Sequence, residues 1–371
     1  MKHEVPPGLA FLASALTQLR EQDLFRERSA AASAPPARCF ASNDYLALAR
    51  ELPPRDAAGA GASRLVTGDL PVHARLEAAA AGLVGQPAAL AFTSGYAANV
   101  GALSALAGSG DLVVSDALNH ASIIDGIRLS RARVAVVPHL DVAAVEGALR
   151  RRSEARAFVV TESYFSMDGD SPDLCSLRAV CDAHGAALLV DEAHALGVLG
   201  PEGRGVCAGA GVRADVVVGT FGKAFGAAGA FVAGCPELIA WLWNRARSFV
   251  FSTGLSPAVA TAALQGMDRA RTEPWRRAAA TEWAGKLRRG LETLGHAATG
   301  YGHVIPWVVG EPAVALEVAR SVRTLGLDVR AIRPPSVPAG TARLRLTATA
   351  AHSAAVVEEL LAAIAAAVDG R

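Results

Sequence analysis

The chain predicts an α/β protein with a mainly parallel central sheet, helices on both its faces, and a smaller C-terminal α+β domain. Three observations lead there. Short β-rich runs alternate with alanine-rich helical ones, the pattern of right-handed crossovers between parallel strands. The composition shifts after Phe251-Ser252-Thr253-Gly254-Leu255-Ser256-Pro257. A length of 371 residues exceeds one ordinary core, and a chain 51% hydrophobic yet only 5% aromatic packs largely with alanine.

In chain order, Leu9, Leu12, Leu16 and Leu19 recur at helical spacing and run into the charged segment Arg20 to Arg28. Glu4 and Pro6-Pro7 precede them, so the stretch reads as an amphipathic helix and not as a secretion signal. Residues 1–38 are therefore expected to form an N-terminal helical segment, 39–255 the large domain and 256–371 the small one. Leu112-Val113-Val114, Phe158-Val159-Val160-Thr161, Ala187-Leu188-Leu189-Val190, Val216-Val217-Val218 and Ala230-Phe231-Val232 read as buried strands, with helices such as Leu174 to His184 between them. A long helical stretch follows the boundary. Val304 to Val309 and Val329 to Ile332 are further strand candidates, and a last helix starts at about Ser353. No run is long enough to span a bilayer, which predicts a cytoplasmic protein. A net charge of +1 offers no basic stripe for nucleic acid or polybasic run for membranes. The five cysteines are scattered without a Cys-x-x-Cys pair, which argues against a metal site or disulfide frame.

Lys223 is one of only three lysines, the others being Lys2 and Lys286, in a chain that uses arginine for ordinary charge. It lies in Gly219-Thr220-Phe221-Gly222-Lys223-Ala224-Phe225-Gly226, just after a predicted strand. Arginine stays protonated and forms no imine, whereas a desolvated lysine amine can attack a carbonyl. The motif thus points to a Schiff base with pyridoxal 5'-phosphate, and glycines beside it would let a flat ring lie close. Asp191 ends another predicted strand in Asp191-Glu192-Ala193-His194, thirty-two residues earlier. A carboxylate there needs a cation or several donors, and a protonated pyridine nitrogen provides the cation. Thr93-Ser94-Gly95-Tyr96-Ala97-Ala98-Asn99 supplies a glycine turn opening a helix, a place for phosphate, with Ser166 and Thr220 as further hydroxyls. His120, in Asn119-His120-Ala121-Ser122, is placed to stack on a ring.

Set in order, these pieces resemble the α-oxoamine synthase family of fold-type-I pyridoxal-phosphate enzymes nearly end to end. The likeness covers Ser42-Asn43-Asp44-Tyr45-Leu46, Gly59 to Gly68, Ser94 to Asn99, Asn119 to Ile124, Phe165 to Asp170, Asp191 to Gly197, Thr220 to Gly226 and Arg333 to Thr347. The resemblance implies Lys223 as the aldimine lysine and general base, and Asp191 as partner of the pyridine nitrogen. It implies His194 on the phenolic oxygen and His120 over the ring. Gly95, Tyr96, Ser166 and Thr220 match cofactor-holding positions, and Arg333 and Arg345 match positions associated with the amino-acid carboxylate. Ile332 to Thr347 is most similar to the alanine-using branch of biotin biosynthesis, with Ser336 where threonine is common. That branch condenses L-alanine with a pimeloyl thioester of coenzyme A or acyl carrier protein and releases carbon dioxide. Arg26 resembles an acyl-substrate arginine, and Ala47 replaces a usual glycine. The alternatives inside the family are glycine-using enzymes (glycine C-acetyltransferase, 5-aminolevulinate synthase) and serine palmitoyltransferase; outside it stands a non-catalytic binding protein of the same fold. A homodimer is expected, with Ser252-Thr253-Gly254 resembling a segment that reaches a neighbour's phosphate.

Overall fold

The computed structural model describes residues 17–18, 20–22, 38, 40, 45–48 and 59–369. Thr17, Gln18, Arg20 and Glu21 are helical and Gln22 is in a turn; the other residues of the predicted N-terminal helix, Arg26 among them, lie outside the described residues. Seven strands form the large sheet: β1 (Ala88–Phe92), β2 (Asp111–Asp116), β3 (Arg133–Val137), β4 (Arg156–Glu162), β5 (Ala187–Asp191), β6 (Val216–Thr220) and β7 (Ala230–Gly234). Their order is β1-β7-β6-β5-β4-β2-β3. β7 is antiparallel to both its neighbours and every other pairing is parallel, so the remaining six strands point one way. A second, antiparallel sheet follows, β8 (Val304–Gly310), β9 (Arg330–Ile332) and β10 (Ala342–Thr347), with β10 in the middle.

Among the described residues ten helices of more than eight residues pack on these sheets: α1 (Pro71–Leu83), α2 (Gly95–Leu106), α3 (Ala121–Ser130), α4 (Val142–Arg150), α5 (Leu174–His184), α6 (Pro236–Arg245), α7 (Pro257–Thr272), α8 (Trp275–Thr293), α9 (Pro312–Thr324) and α10 (Ala354–Asp369). Side chains alternate across a strand, so each inner strand feeds two cores. In β5, Leu188 and Val190 join the core under α1, α4, α5 and α7, while Leu189 joins the core under α2, α3 and α6. A third core lies between the second sheet and α8, α9 and α10. Two segments cross the expected domain limits. Ala260, Ala263 and Met267 of α7 pack into a core of the large sheet. Phe40 packs with the second sheet and exchanges backbone hydrogen bonds with Asp328 and Thr347.

The predicted strands all occur, but β1, β3 and β10 were not anticipated. Ala88-Ala89-Leu90-Ala91-Phe92 has the composition of a helix, alanine being the strongest helix former, and only its place beside β7 makes it a strand. β3 is an edge strand with Val134 and Val136 exposed, so only Val137, with Ala135 beside it, turns inward and no apolar–polar alternation marks the run. β10 carries Arg343 and Arg345, both buried, where charge normally marks surface. Ala47 adopts φ 53, a left-handed conformation that favours the glycine it replaces. Cys181 and Cys207 are buried as small hydrophobes, whereas Cys175 and Cys235 are exposed. No helix among the described residues is long and apolar enough to cross a membrane.

Candidate active site

Open parallel sheets leave a crevice beyond the carboxyl ends of their strands, and the titratable groups gather there. Glu162 ends β4, Asp191 ends β5 in register with it, and Thr220 ends β6 three residues before Lys223. β2 ends at Asp116, and His120 follows as the N-cap of α3; β1 ends at Phe92, and Ser94 caps α2 through Ala97 N at 3.1 Å. Gly95 opens α2, and a Cβ built on it meets nothing within 4 Å. That helix start therefore offers open space beside first-turn amides that have no partner within the helix.

Asp191 is 6% exposed, and among the described residues no cation pairs with it. It accepts from Asn99 Nδ2 at 2.7 Å and from the Ala193 amide at 2.8 Å. Asn99 Nδ2 also reaches Ser122 Oγ at 3.0 Å, and Ser122 Oγ lies 2.8 Å from His120 Nδ1, so α2 and α3 link the Asp191 carboxylate to His120. The His120 backbone amide donates to Glu162 Oε1 at 2.8 Å. Glu162 is buried, and its pKa is pushed up by that burial and by the Asp191 charge, against the pull of Lys223. Burial lowers the Lys223 amine to about 8, although Asp191 and Glu162 oppose the change. Its carbonyl accepts from Gly226 N, and φ 65 at Gly226 lets the chain turn back there.

The second sheet enters the same site. Arg345 of β10, 7% exposed, donates from Nε to the Ser166 carbonyl and from Nη2 to Tyr45 Oη at 3.4 Å. Tyr45 Oη lies 2.9 Å from His194 Nδ1. Tyr45 Oη accepts from Arg345 and keeps its own proton to give, so with Tyr45 as the donor to Nδ1 a neutral His194 carries its proton on Nε2. Burial, followed by Lys223 and Arg345, holds His194 well below the ordinary histidine pKa, so the ring is neutral. Nε2 is then a donor for a ligand oxygen. His303, 1% exposed, packs edge-on against Tyr45 at 4.1 Å. Burial, followed by the Arg345 and Lys223 charges, pulls His303 down to about 3, against a backbone contact from His194 that favours its charged form.

Of the residues expected from the sequence, Lys223, Asp191, His194, His120 and Arg345 act on one another electrostatically or through one or two hydrogen bonds. Others are placed less simply. The Tyr96 hydroxyl donates to Asp125 at 2.6 Å, so its backbone amide is what it can offer a phosphate. Thr220 Oγ1 donates to the Gly229 carbonyl at 3.0 Å and accepts from Gly222 N. Ser166 meets Arg345 through its carbonyl. Arg333 is half-buried and Ser336 exposed, in the turn between β9 and β10. Tyr45, Asn99, Glu162 and His303 received no role from sequence reasoning. Asn99 had a signal: it lies one helical turn beyond Gly95, on the same face. Glu162 had another, two strands ending in carboxylates. His303 had none.

The donor set suits pyridoxal phosphate on this structure's own terms. A buried carboxylate has no ion-pair partner among the described residues, a neutral imidazole can present a donor, a lysine is shifted toward its free amine, and a helix start has open space. A chain with this sheet and this site is a fold-type-I transferase by architecture. The aminotransferase class I and II family pattern matches residues 39–364, and the chain belongs to that family. It is 50% identical over 337 residues to the 8-amino-7-oxononanoate synthase of Anaeromyxobacter dehalogenans, covering 88% of this chain and 85% of that one. The synthase of the same name from Pseudomonas paraeruginosa is 43% identical over 375 residues, covering 95% and 93%. Among solved structures, serine palmitoyltransferase of Sphingomonas wittichii superposes with a TM-score of 0.90 at 29% identity, covering 99% of both chains.

Proposed function

We propose that this chain condenses L-alanine with a pimeloyl thioester, giving 8-amino-7-oxononanoate, carbon dioxide and the free thiol of coenzyme A or acyl carrier protein. The observation that carries the reading is the convergence of Arg345 from the second sheet on Tyr45 and His194, beside Lys223. That arrangement offers a carboxylate clamp, a neutral donor and a shifted amine together. Likeness selects within the family: 50% identity to an 8-amino-7-oxononanoate synthase against 29% to a serine palmitoyltransferase.

Pyridoxal phosphate, when bound, supplies an electron sink conjugated with the amino acid's Cα. Lys223 would hold it covalently, with Asp191 on the ring nitrogen, His194 Nε2 on the phenolic oxygen and His120 against the ring. The Gly95 and Tyr96 amides, with Ser166 and Thr220, would hold its polar periphery. Arg345, assisted by Arg333, grips the alanine carboxylate and so decides which Cα bond stands across the ring plane. Lys223 Nζ, set free once the alanine amine takes its place, would take the Cα proton as general base and later return one. The new carbon–carbon bond forms at the thioester carbonyl as the thiol leaves, and the alanine carboxyl departs as carbon dioxide. Ser336 and Arg26 belong to the acyl-substrate side. In this reading the units 39–255 and 256–371 close over the site, with α7 reassigned to the first and Phe40 to the second. The protein works as a cytoplasmic homodimer.

The test is thiol release with alanine, glycine and serine, each against pimeloyl and long-chain acyl thioesters. Alanine with pimeloyl thioester should be fastest. Glycine should be a poor substrate and not an excluded one, since one methyl in an apolar niche discriminates by only about 1–3 kcal/mol. Serine with a long-chain thioester running fastest would overturn the reading.

A further inference from the structure

Arg345 is aimed by a turn, and that turn is itself held from the far side. Phe165 to Asp170 closes on itself, with Phe165 N donating to Asp170 O at 2.9 Å and Gly169 N to Phe165 O at 2.9 Å. Its crest meets β10: the Ser166 carbonyl accepts from Arg345, and the Met167 carbonyl and Asp168 Oδ1 accept from Arg343 at 2.9 Å and 2.6 Å. Both arginines are buried, so these acceptors satisfy groups that water does not reach. A displaced crest would leave guanidinium donors unpaired or turn them elsewhere.

His139, after β3, clamps the base of this turn. Its Nδ1 lies 2.9 Å from Asp116 Oδ1 and its Nε2 lies 3.2 Å from Asp170 Oδ2. Its ring stands edge-on to Phe165 with centroids 4.5 Å apart at 90°. Asp116 is a firm anchor, because it ends β2 and also accepts from the Leu118 and Leu140 amides at 2.8 Å and 2.9 Å. A histidine that serves two carboxylates donates from both nitrogens, which makes it a cation. Burial opposes that charge, but Asp116 and Asp170 outweigh it and raise the pKa to about 10. The sequence motifs leave His139 without a role, and the chemistry proposed above does not use it.

We propose that His139 is a positioning residue for the amino-acid carboxylate: by bridging Asp116 and Asp170 it fixes the Phe165–Asp170 turn whose carbonyls aim Arg345. The inference rests on the reading of Arg345 as the carboxylate clamp. It separates His139 from a merely structural ion pair, because the effect travels to one substrate and not to the other.

The experiment uses holoenzyme and titrates L-alanine, glycine and serine by the change in the visible spectrum of the bound cofactor, in the parent, His139→Gln, Asp170→Asn and the double variant. The Kd for the amino acid should rise about tenfold in each single variant, and the double variant should be no worse than either, since both cut one link. The KM for the acyl thioester and the cofactor occupancy should stay near the parent's. Asp170→Asn leaves the Asp116–His139 pair in place, so it carries the test if His139→Gln fails to fold. Unmoved amino-acid Kd values in a responsive parent and variants would overturn the inference alone. A uniform fall in kcat and cofactor occupancy would also overturn it, as the mark of general disruption. A parent whose spectrum responds to no amino acid would overturn the functional reading and this inference with it.

Discussion

A lysine amine must shed its proton before it attacks a carbonyl, and burial moves Lys223 in that direction, to about 8. Below that value the ammonium dominates; above it the free amine does. Capture of added pyridoxal phosphate by apoprotein, followed by stopped-flow absorbance, should therefore accelerate as pH rises through about 8 and then level off. A rate indifferent to pH across that value would remove Lys223 as the nucleophile. Lys223→Ala should show neither visible cofactor absorbance nor turnover, with an unchanged far-ultraviolet circular dichroism spectrum. Arg345 poses a different demand at the same scale. Its Nε and Nη2 already hold the Ser166 carbonyl and Tyr45 Oη, so the fork is oriented before any ligand arrives. Arg345→Lys keeps the charge but replaces the fork by a point donor that cannot keep both contacts and grip a carboxylate. Single-turnover removal of the Cα proton should slow by at least about tenfold, more than a conserved charge suggests. An unaffected variant would move the carboxylate role to Arg333.

At the scale of the elements, β6 shows what the site demands of its scaffold. Gly219 sits in a fully buried strand, where an added Cβ would approach Phe231 Cε1 at 2.5 Å and Leu196 Cδ1 at 2.6 Å. Neither ring nor branch can retreat within a core, so Gly219→Ala should destabilise the protein by about 1–3 kcal/mol through overpacking. Urea unfolding measures that, and a neutral substitution would show the core to be looser than its packing indicates. The sequence reads the small residues flanking Lys223 as a sharp turn with room for a flat ring; φ 65 at Gly226 provides the turn, while Gly219 makes room for the Phe231 ring of β7 and for Leu196. The difference illustrates what was legible. Strands buried on both faces, such as β5, announce themselves as unbroken apolar runs, and the site residues at their ends followed from position alone. β10 did not, because its burial depends on acceptors from the distant turn at Ser166 to Asp168, a tertiary fact no local pattern carries. The Arg345–Tyr45–His194 relay was hidden for the same reason, its members lying 149 and 300 residues apart. Function was legible through motifs; the wiring between them was not.

On the scale of the whole molecule, one surface stands out as unfinished. Val66 is 76% exposed, Phe251 73% and Tyr96 50%, large apolar groups that a lone protein rarely gathers without a partner. Two of them are held in one place: Gly254 N donates to the Ala62 carbonyl at 2.9 Å, and Ser63 Oγ to the Val250 carbonyl at 3.3 Å, tying the segment around Val66 to the one around Phe251. The second segment continues into Ser252, Thr253 and Gly254, which line a small cavity with Thr93 beside the start of α2. An isologous two-fold dimer through this surface would cover the apolar groups and bring the hydroxyl-rich turn of each protomer up to a site. Burying Val66 and Phe251 across such an interface should contribute roughly 1.5–3 kcal/mol for each fully covered side chain. An aspartate there would face desolvation instead. Val66→Asp and Phe251→Asp should therefore sediment as folded monomers at concentrations where the parent is dimeric, and should lose both cofactor retention and turnover. Circular dichroism matching the parent's would separate lost assembly from lost folding. A parent that sediments as an active monomer at assay concentration would remove the dimer from the mechanism, and the exposed surface would then need another occupant.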